Sequence, residues 1–365
     1  MFSRHRRYFV VLTFLLLATP LAAGIMRPDG PAAVLREGRR LAPAPRPPQT
    51  GAEWFALSGR IDDYLKDHFG FRQALIRAHK DLTRPILGLG TDTVLVGRNG
   101  RMFYLGEEMV RQSAGLILRD KAVSDTADLL AKMKGDLASR GIGFLVASPP
   151  NSATMYQDDL PDWAQNRGRR TEYDAFLDEL AARGVSTVDL RPAMKAAQSR
   201  GPTYFMHDSH WTARGALAGF DAIAVADSHP DWRLEPRSAL GPLKSHPGGD
   251  LARLLGVEDS VDEQSEDLIL PMGTKELLSS NPFGDYVETS DKPGPTIMII
   301  GDSFTGGYLD KMLMRHVGRV VWVDRDHCGF DWKAIDRYRP DEVWWMPTER
   351  FLLCDPGRRP TDFTG

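Results

Sequence analysis

The 365-residue chain has only two cysteines, Cys328 and Cys354, too few for a disulfide-built scaffold or a cysteine-rich metal site. It also lacks a charge excess. Its 46 Lys and Arg stand against 49 Asp and Glu, interspersed, for a net charge of −3, which removes the electrostatic footprint of a nucleic-acid binder. No internal repeat recurs, so a solenoid or propeller is excluded. Long apolar runs are scarce too, and a mean hydropathy of −0.33 argues against several membrane spans.

One apolar run does exist, at the start. Arg4, Arg6 and Arg7 precede a segment from Tyr8 to Met26, the pattern of an export signal. Ala22-Ala23-Gly24 offers small residues for cleavage, whereas a run of this length is close to the ~20 residues that a membrane helix needs. Residues 1–26 therefore read as a signal anchor or a signal peptide. The anchor is the favoured expectation, with the body of the protein in the periplasm. Arg27, Arg36, Arg39 and Arg40 lie beyond the run and weaken any orientation argument from positive charge. Residues 27–50 hold Pro28, Pro31, Pro43, Pro45, Pro47 and Pro48 among small and basic residues, the composition of a semi-extended tether. A single folded domain is expected over 51–356, with 357–365 as a tail.

Within that domain, Phe55, Ile61, Leu65, Phe69, Leu75 and Ile76 recur at helical spacing. Val94-Leu95-Val96 and Met102-Phe103-Tyr104 flank Asn99-Gly100, a hairpin signal. Helices are then predicted near 122–140, 171–183, 212–227, 305–316 and 331–338. They alternate with strands at 142–148, 185–190, 296–300, 319–324 and 342–346. Such alternation predicts a parallel sheet covered by helices on both faces, with the site at the carboxyl ends of the strands. Residues 231–290 break the pattern and read as an irregular insertion long enough to act as a lid. The two cysteines follow strands of the same half, so a disulfide and two buried thiols are both open.

The chemistry concentrates at Ile297-Met298-Ile299-Ile300-Gly301-Asp302-Ser303-Phe304, where a strand runs into Gly-Asp-Ser. A serine at a strand-to-helix turn presents its hydroxyl beside helix N–H groups that can bind an oxyanion. A serine hydroxyl needs a base. The best candidate is His210 in Asp208-Ser209-His210-Trp211, where Asp208 can orient the ring. The same tripeptide recurs at Asp227-Ser228-His229, stopped by Pro230, and reads as a solvated helix end. The bland reading of Gly-Asp-Ser is a buried strand followed by an N-cap Asp or Ser. His207 is a second possible base, and a His207, Asp208 and His210 metal cluster is conceivable but lacks a further His or Cys ligand run; no metal or cofactor is expected. Weaker candidates are Asn151 after a core strand as an oxyanion donor, Trp211 and Tyr308 as a sugar-stacking face, and Arg350 for an acidic sugar.

Gly301-Asp302-Ser303-Phe304, preceded by Asp208-x-His210-Trp211-x-x-x-Gly215-Ala216, resembles the alginate O-acetyltransferases of the AlgJ/AlgX type. Asp67–Arg72, Val96–Tyr104, Gly249-Asp250-Leu251-Ala252, Gly329-Phe330-Asp331 and Glu349–Leu352 resemble further landmarks of that family in order, so the likeness spans roughly 52–355. It implies a three-layer, flavodoxin-like α/β fold of the SGNH-hydrolase type, with the motif order permuted so that Asp and His precede the serine. Ser303 would be the nucleophile, His210 the base and Asp208 its orienting acid. The family further implies a polysaccharide acceptor and an acetyl donor supplied by a membrane-bound O-acyltransferase. The Gly and Asn blocks of ordinary SGNH esterases are not clear in this chain, which leaves the oxyanion donors open. The resemblance ends without a carbohydrate-binding module after 355, as in single-domain members. The expected function is acetyl transfer to an exopolysaccharide; an acetyl esterase and a non-catalytic polysaccharide-binding subunit are the alternatives.

Overall fold

Strand Thr296–Gly301 is apolar from Ile297 to Ile300 because successive side chains enter two different cores. Ile297 and Ile299 pack with Trp322, Trp344 and Met346 on one face. Met298 and Ile300 pack with Val321, Val323 and Trp345 on the other. The computed structural model describes residues 8–9, 12–14, 19, 44–67, 91–278, 284–329 and 332–354. The chain divides into two units, Met1–Gly90 with Arg253–Gly256, and Thr91–Ala252 with Val257–Gly365.

The strands are β1 (Val94–Val96), β2 (Met102–Tyr104), β3 (Gly143–Val146), β4 (Leu240–Pro247), β5 (Asp262–Leu268), β6 (Thr274–Leu277), β7 (Tyr286–Thr289), β8 (Thr296–Gly301), β9 (Arg319–Asp324) and β10 (Glu342–Met346). Six of them form one sheet in the order β3-β10-β8-β9-β7-β6. Neighbours from β3 to β9 pair in parallel, while β7 and β6 run antiparallel at one edge. Helices Ala213–Ala226 and Leu309–Leu313 cover the Ile297 face. Helices Asp120–Ser139, Glu172–Ala182 and Lys333–Tyr338 cover the other. This is the expected three-layer α/β architecture.

The hairpin β1–β2 turns through Asn99 and Gly100, both at positive φ (59° and 79°), as an Asn-Gly turn requires. Cys328 and Cys354 form a disulfide, with Cα atoms 5.3 Å apart, under the Met298 face.

Two expectations about elements change. Val185–Leu190 is not a strand: only Thr187 bridges Val146. The chain turns away at Asp189, whose carboxylate takes the Arg191 N–H at 3.0 Å and opens a helix at Arg191 with Pro192 in its first turn. The stretch 231–290 is not irregular either. It contributes the antiparallel pair β4–β5 and the sheet-edge strands β6 and β7. β4 and β6 are largely exposed, so they carry no apolar alternation to betray them.

The described part of the first unit includes the helix Gly51–Asp67, on which Trp54 and Phe55 are exposed. Phe69, Leu75, Ile76, most of the Asp67–Arg72 landmark, Phe330-Asp331, the 357–365 tail and most of the apolar leader and tether lie outside the described residues. Among the described residues no helix is long and apolar enough to cross a membrane.

Candidate active site

Ser303 follows β8 at the carboxyl end of the sheet and is exposed between buried Asp302 and Phe304. Asp302 makes the bend. Its carboxylate accepts from the Phe304 N–H at 3.1 Å and from the Thr348 N–H and hydroxyl, each at 2.8 Å. Its carbonyl accepts from the Thr305 N–H at 3.0 Å. The chain then passes through Gly307 at φ 89°, and the helix begins only at Leu309. The expected helix start at the serine is therefore absent, and with it the expected row of helix N–H groups. The Ser303 N–H itself donates to no acceptor among the described residues, so it is available to a developing oxyanion.

His210 reaches the serine from a different part of the chain. Its Nε2 lies 2.8 Å from Ser303 Oγ, and its Nδ1 lies 2.6 Å from Asp208 Oδ1. The same Asp208 oxygen accepts the His210 backbone N–H at 2.9 Å, an Asx turn that fixes ring and backbone together. This is why an Asp two residues before the His suffices. Beyond it, Tyr204 and Trp211 bridge as an antiparallel pair, and the Trp211 indole donates to the Phe304 carbonyl at 2.9 Å. That bond ties the His loop to the Ser turn. The rings of His210 and Phe304 lie 4.9 Å apart.

Asp250 completes the cluster and was not singled out by residue chemistry, although its Gly249-Asp250 landmark was visible. The Asp250 N–H donates to Asp208 Oδ2 at 2.8 Å, and its carboxylate accepts the Ser209 N–H at 2.7 Å and the Ser209 hydroxyl. Its Oδ2 lies 3.6 Å from His210 Nδ1. Gly249 permits this approach: at φ 130°, a Cβ there would sit 2.3 Å from the His207 carbonyl oxygen.

The electrostatics follow from these contacts. Burial opposes the charged imidazole of His210, but the bond to Asp208 and the charges of Asp208 and Asp250 outweigh it, so its pKa is raised above the ordinary value. Burial likewise acts against ionised Asp208, yet His210 and two backbone N–H groups hold its pKa down, to about 2. Burial and the neighbouring Asp208 raise that of Asp250. Asp208, His210 and Asp250 each place one ligand atom within 4.8 Å of the others, close enough to surround a cation. Nδ1 of His210 and both oxygens of Asp208 are, however, already in hydrogen bonds to one another and to the Asp250 amide. His207 is outside this group; its Nδ1 faces Glu263 at 3.4 Å.

The other sequence candidates separate. Trp211 is fully buried, so it is a structural clamp and not a sugar-stacking face. Tyr308 stays half-buried near the triad, its pKa pushed up to about 12 by burial and by the charges of Asp267 and Asp208. Asn151 is fully buried and its side chain is engaged: Nδ2 donates to Ser113 Oγ at 3.2 Å, and Oδ1 accepts the Arg350 N–H at 3.2 Å. Its own N–H donates to Glu349 at 2.7 Å. Glu349 is buried there with a pKa pushed up to about 7, chiefly by burial. Arg350 stacks over Phe304, its guanidinium carbon 5.0 Å from the ring centre.

The fold and a Ser-His-Asp cluster at the carboxyl end of its sheet define an SGNH-hydrolase-like protein. The family model described as SGNH hydrolase-like domain, acetyltransferase AlgX, matches residues 94–350, most of the chain, and the chain belongs to that family. Among individual relatives, it is 24% identical over 261 residues to the probable alginate O-acetylase AlgJ of Pseudomonas aeruginosa, covering 62% of this chain and 63% of that protein. The corresponding protein of Pseudomonas putida is 25% identical over 251 residues, covering 62% of each. The chain thus spans less than two thirds of the curated relatives it matches. Two solved structures share the fold. A DHHW family protein from Eubacterium siraeum is 14% identical with a TM-score of 0.55, covering 73% of this chain and 94% of its own. Bacillus cereus PatB1 is 11% identical with a TM-score of 0.53, covering 72% and 97%.

Proposed function

We propose that this protein is an O-acetyltransferase that acetylates an exopolysaccharide through an acetyl-Ser303 intermediate. The observation that carries the reading is the unbroken hydrogen-bond chain Ser303–His210–Asp208, at 2.8 and 2.6 Å, ending on an exposed serine. Ser303 Oγ attacks the acetyl carbonyl while His210 Nε2 takes its proton, and ionised Asp208 stabilises the imidazolium. The carbonyl oxygen becomes the oxyanion beside the Ser303 N–H. Collapse breaks the bond to the donor alcohol, which leaves with the His210 proton. A sugar hydroxyl then gives its proton to His210 and attacks acetyl-Ser303, releasing the O-acetyl sugar and free enzyme.

Membership of the acetyltransferase AlgX family and the probable alginate O-acetylases among its relatives support transfer to a polysaccharide. The body is placed in the periplasm, tethered by the N-terminal apolar run. The acetyl donor is supplied by a membrane-bound O-acyltransferase. These assignments rest on the leader pattern and the family resemblance.

The exposure of Ser303 favours a second reading, since water reaches the acyl-enzyme and would make the protein an acetyl esterase. An activated acetyl ester offered with and without oligosaccharide separates the two. Transfer predicts acetylated glycan formed at the expense of acetate. Acetate alone, whatever glycan or membrane partner is present, would hand the site to hydrolysis.

A further inference from the structure

The nucleophile leaves the carboxyl end of β8, and each strand flanking β8 delivers an arginine to that same end, Arg325 buried and Arg350 half-buried. Arg325 follows β9, its N–H bonded to the Gly301 carbonyl at 2.9 Å. Arg350 follows β10 in the short turn Glu349–Phe351. Both guanidinium groups lie on one ring, Phe351, with their carbons 3.7 and 5.0 Å from its centre. Arg350 lies also over Phe304, the residue next to Ser303, at 5.0 Å.

Neither guanidinium is satisfied. Arg325 is 6% exposed, and its buried Nε has no hydrogen-bond partner; Nε and Nη1 of Arg350 are buried and equally without one. The nearest carboxylate to Arg325 is Asp302, at 3.8 Å, beyond hydrogen-bond reach and already holding Thr348. Burial, with the charge of Arg350, lowers the Arg325 pKa against the opposing charges of Asp302 and Asp324. Buried charged donors cost free energy unless an anion or hydrogen-bond acceptor meets them, so two guanidinium groups on one ring, each with buried N–H groups that lack a hydrogen-bond acceptor, make a site for a planar anion. Other uses fit less well. An arginine that only packs against rings could be replaced by an apolar side chain. Here two positive charges come from the two strands that flank β8, at the end of the sheet that bears the catalytic turn.

We propose that Arg325 and Arg350 form a carboxylate subsite beside Ser303, which holds the acid group of a uronate unit in the acceptor and so sets which hydroxyl faces the acetyl-serine. This rests on the acetyltransferase reading and deepens it. The planar fork of each arginine matches a carboxylate bidentately, and neighbouring rings keep the forks in place.

Direct binding tests the subsite without turnover. Full-length Ser303→Ala protein is titrated with an alginate oligosaccharide and with the same oligosaccharide after methyl esterification, which removes only the charge. The charged probe should bind about tenfold tighter or better, the size of one charge-assisted pair. Adding Arg350→Gln should cut that ratio to about twofold, and Arg350→Lys should fall between, since it keeps charge but not the fork. Arg325→Gln should act in the same direction. A thermal melt of each variant separates loss of fold from loss of binding. Equal binding of the two probes, no binding of either, or a ratio unchanged in folded Arg350→Gln would overturn the proposal. An acetyl adduct on Ser303 in wild-type protein would survive any of those results, so the subsite can fail while the acetyl-serine reading stands.

Discussion

The molecule contains Asp-Ser-His twice, at 208–210 and 227–229, and treats the two copies in opposite ways. In the first, Asp208 binds both the backbone and the ring of His210, and Trp211 clamps the loop to the serine turn. In the second, the tripeptide ends the helix Ala213–Ala226, with Ser228 at φ 62° and the His229 N–H bonded to the Ala224 carbonyl at 2.8 Å. Pro230 then opens a short turn, and the His229 ring stacks on Trp232 at 4.0 Å. Each Asp also meets a second carboxylate. Asp250 offers Asp208 an N–H and leaves Asp208 ionised. Glu342 shares a hydrogen bond with Asp227, and burial and Asp227 push the pKa of Glu342 up to about 8. The tripeptide therefore supplies the parts, and the residue that follows it decides between a base and a cap.

The sharpest way to break this comparison is to remove each histidine. His210→Ala should abolish turnover by about 10³-fold or more, as losing one member of a triad does. His229→Ala should leave turnover within about twofold and cost about 1 kcal/mol of stability for the lost stack. Rates and thermal melts of the two variants check both halves, and the reverse ranking would mean that the wrong copy was assigned.

Next in size is the bridge between the half of the sheet that bears Cys328 and the segment that bears Cys354. Their disulfide closes a separation of 26 residues. Opening it with Cys354→Ser should cost about 3.5 kcal/mol on the chain-entropy relation, read as a lower denaturant midpoint, with no change in the loss expected from His229→Ala.

The second carboxylates give the finer tests. Asp250→Asn keeps the backbone N–H to Asp208 but removes a negative charge near His210. Turnover should fall about tenfold, the scale of one weakened buried hydrogen bond. The pH profile carries the sign. The base must be neutral, and Asp250 raises the His210 pKa, so the acid limb of wild type should lie above pH ~6.5 and move down in the variant. An unmoved limb would remove Asp250 from the site. At the second copy the carboxyl pair acts on stability instead. Glu342 has a folded pKa above its unfolded value, so its contribution is full below about pH 4.3 and is lost as pH rises through about 8. Glu342→Gln should flatten the fall in melting temperature between pH 5 and 9.

Much of this was legible in the chain. β8, β9 and β10 announce themselves as buried apolar runs, and the residue chemistry of Gly-Asp-Ser and Asp-x-His brought Ser303, His210 and Asp208 together from 93 residues apart. What was not legible depends on contacts far away in sequence. The helix after Ser303 is delayed to Leu309 because Asp302 is captured by Thr348, and no local pattern reports that. Trp211 looks like a surface aromatic beside a catalytic residue, yet its indole has a buried acceptor at Phe304. β4 and β6 were hidden because strands with mostly polar, exposed positions have no alternation to read. Arg325 stood out in no motif; only the fold shows that it shares the Phe351 ring with Arg350.

The central claim is that Ser303, activated by the first copy and not the second, carries the acetyl group. Wild-type protein incubated briefly with an activated acetyl ester, acid-quenched and digested for mass spectrometry, should show one added acetyl on the peptide that contains Ser303. The adduct should be absent in Ser303→Ala, nearly absent in His210→Ala and undiminished in His229→Ala. An acetyl group found elsewhere, or one that persists in Ser303→Ala at the same site occupancy, would contradict the account.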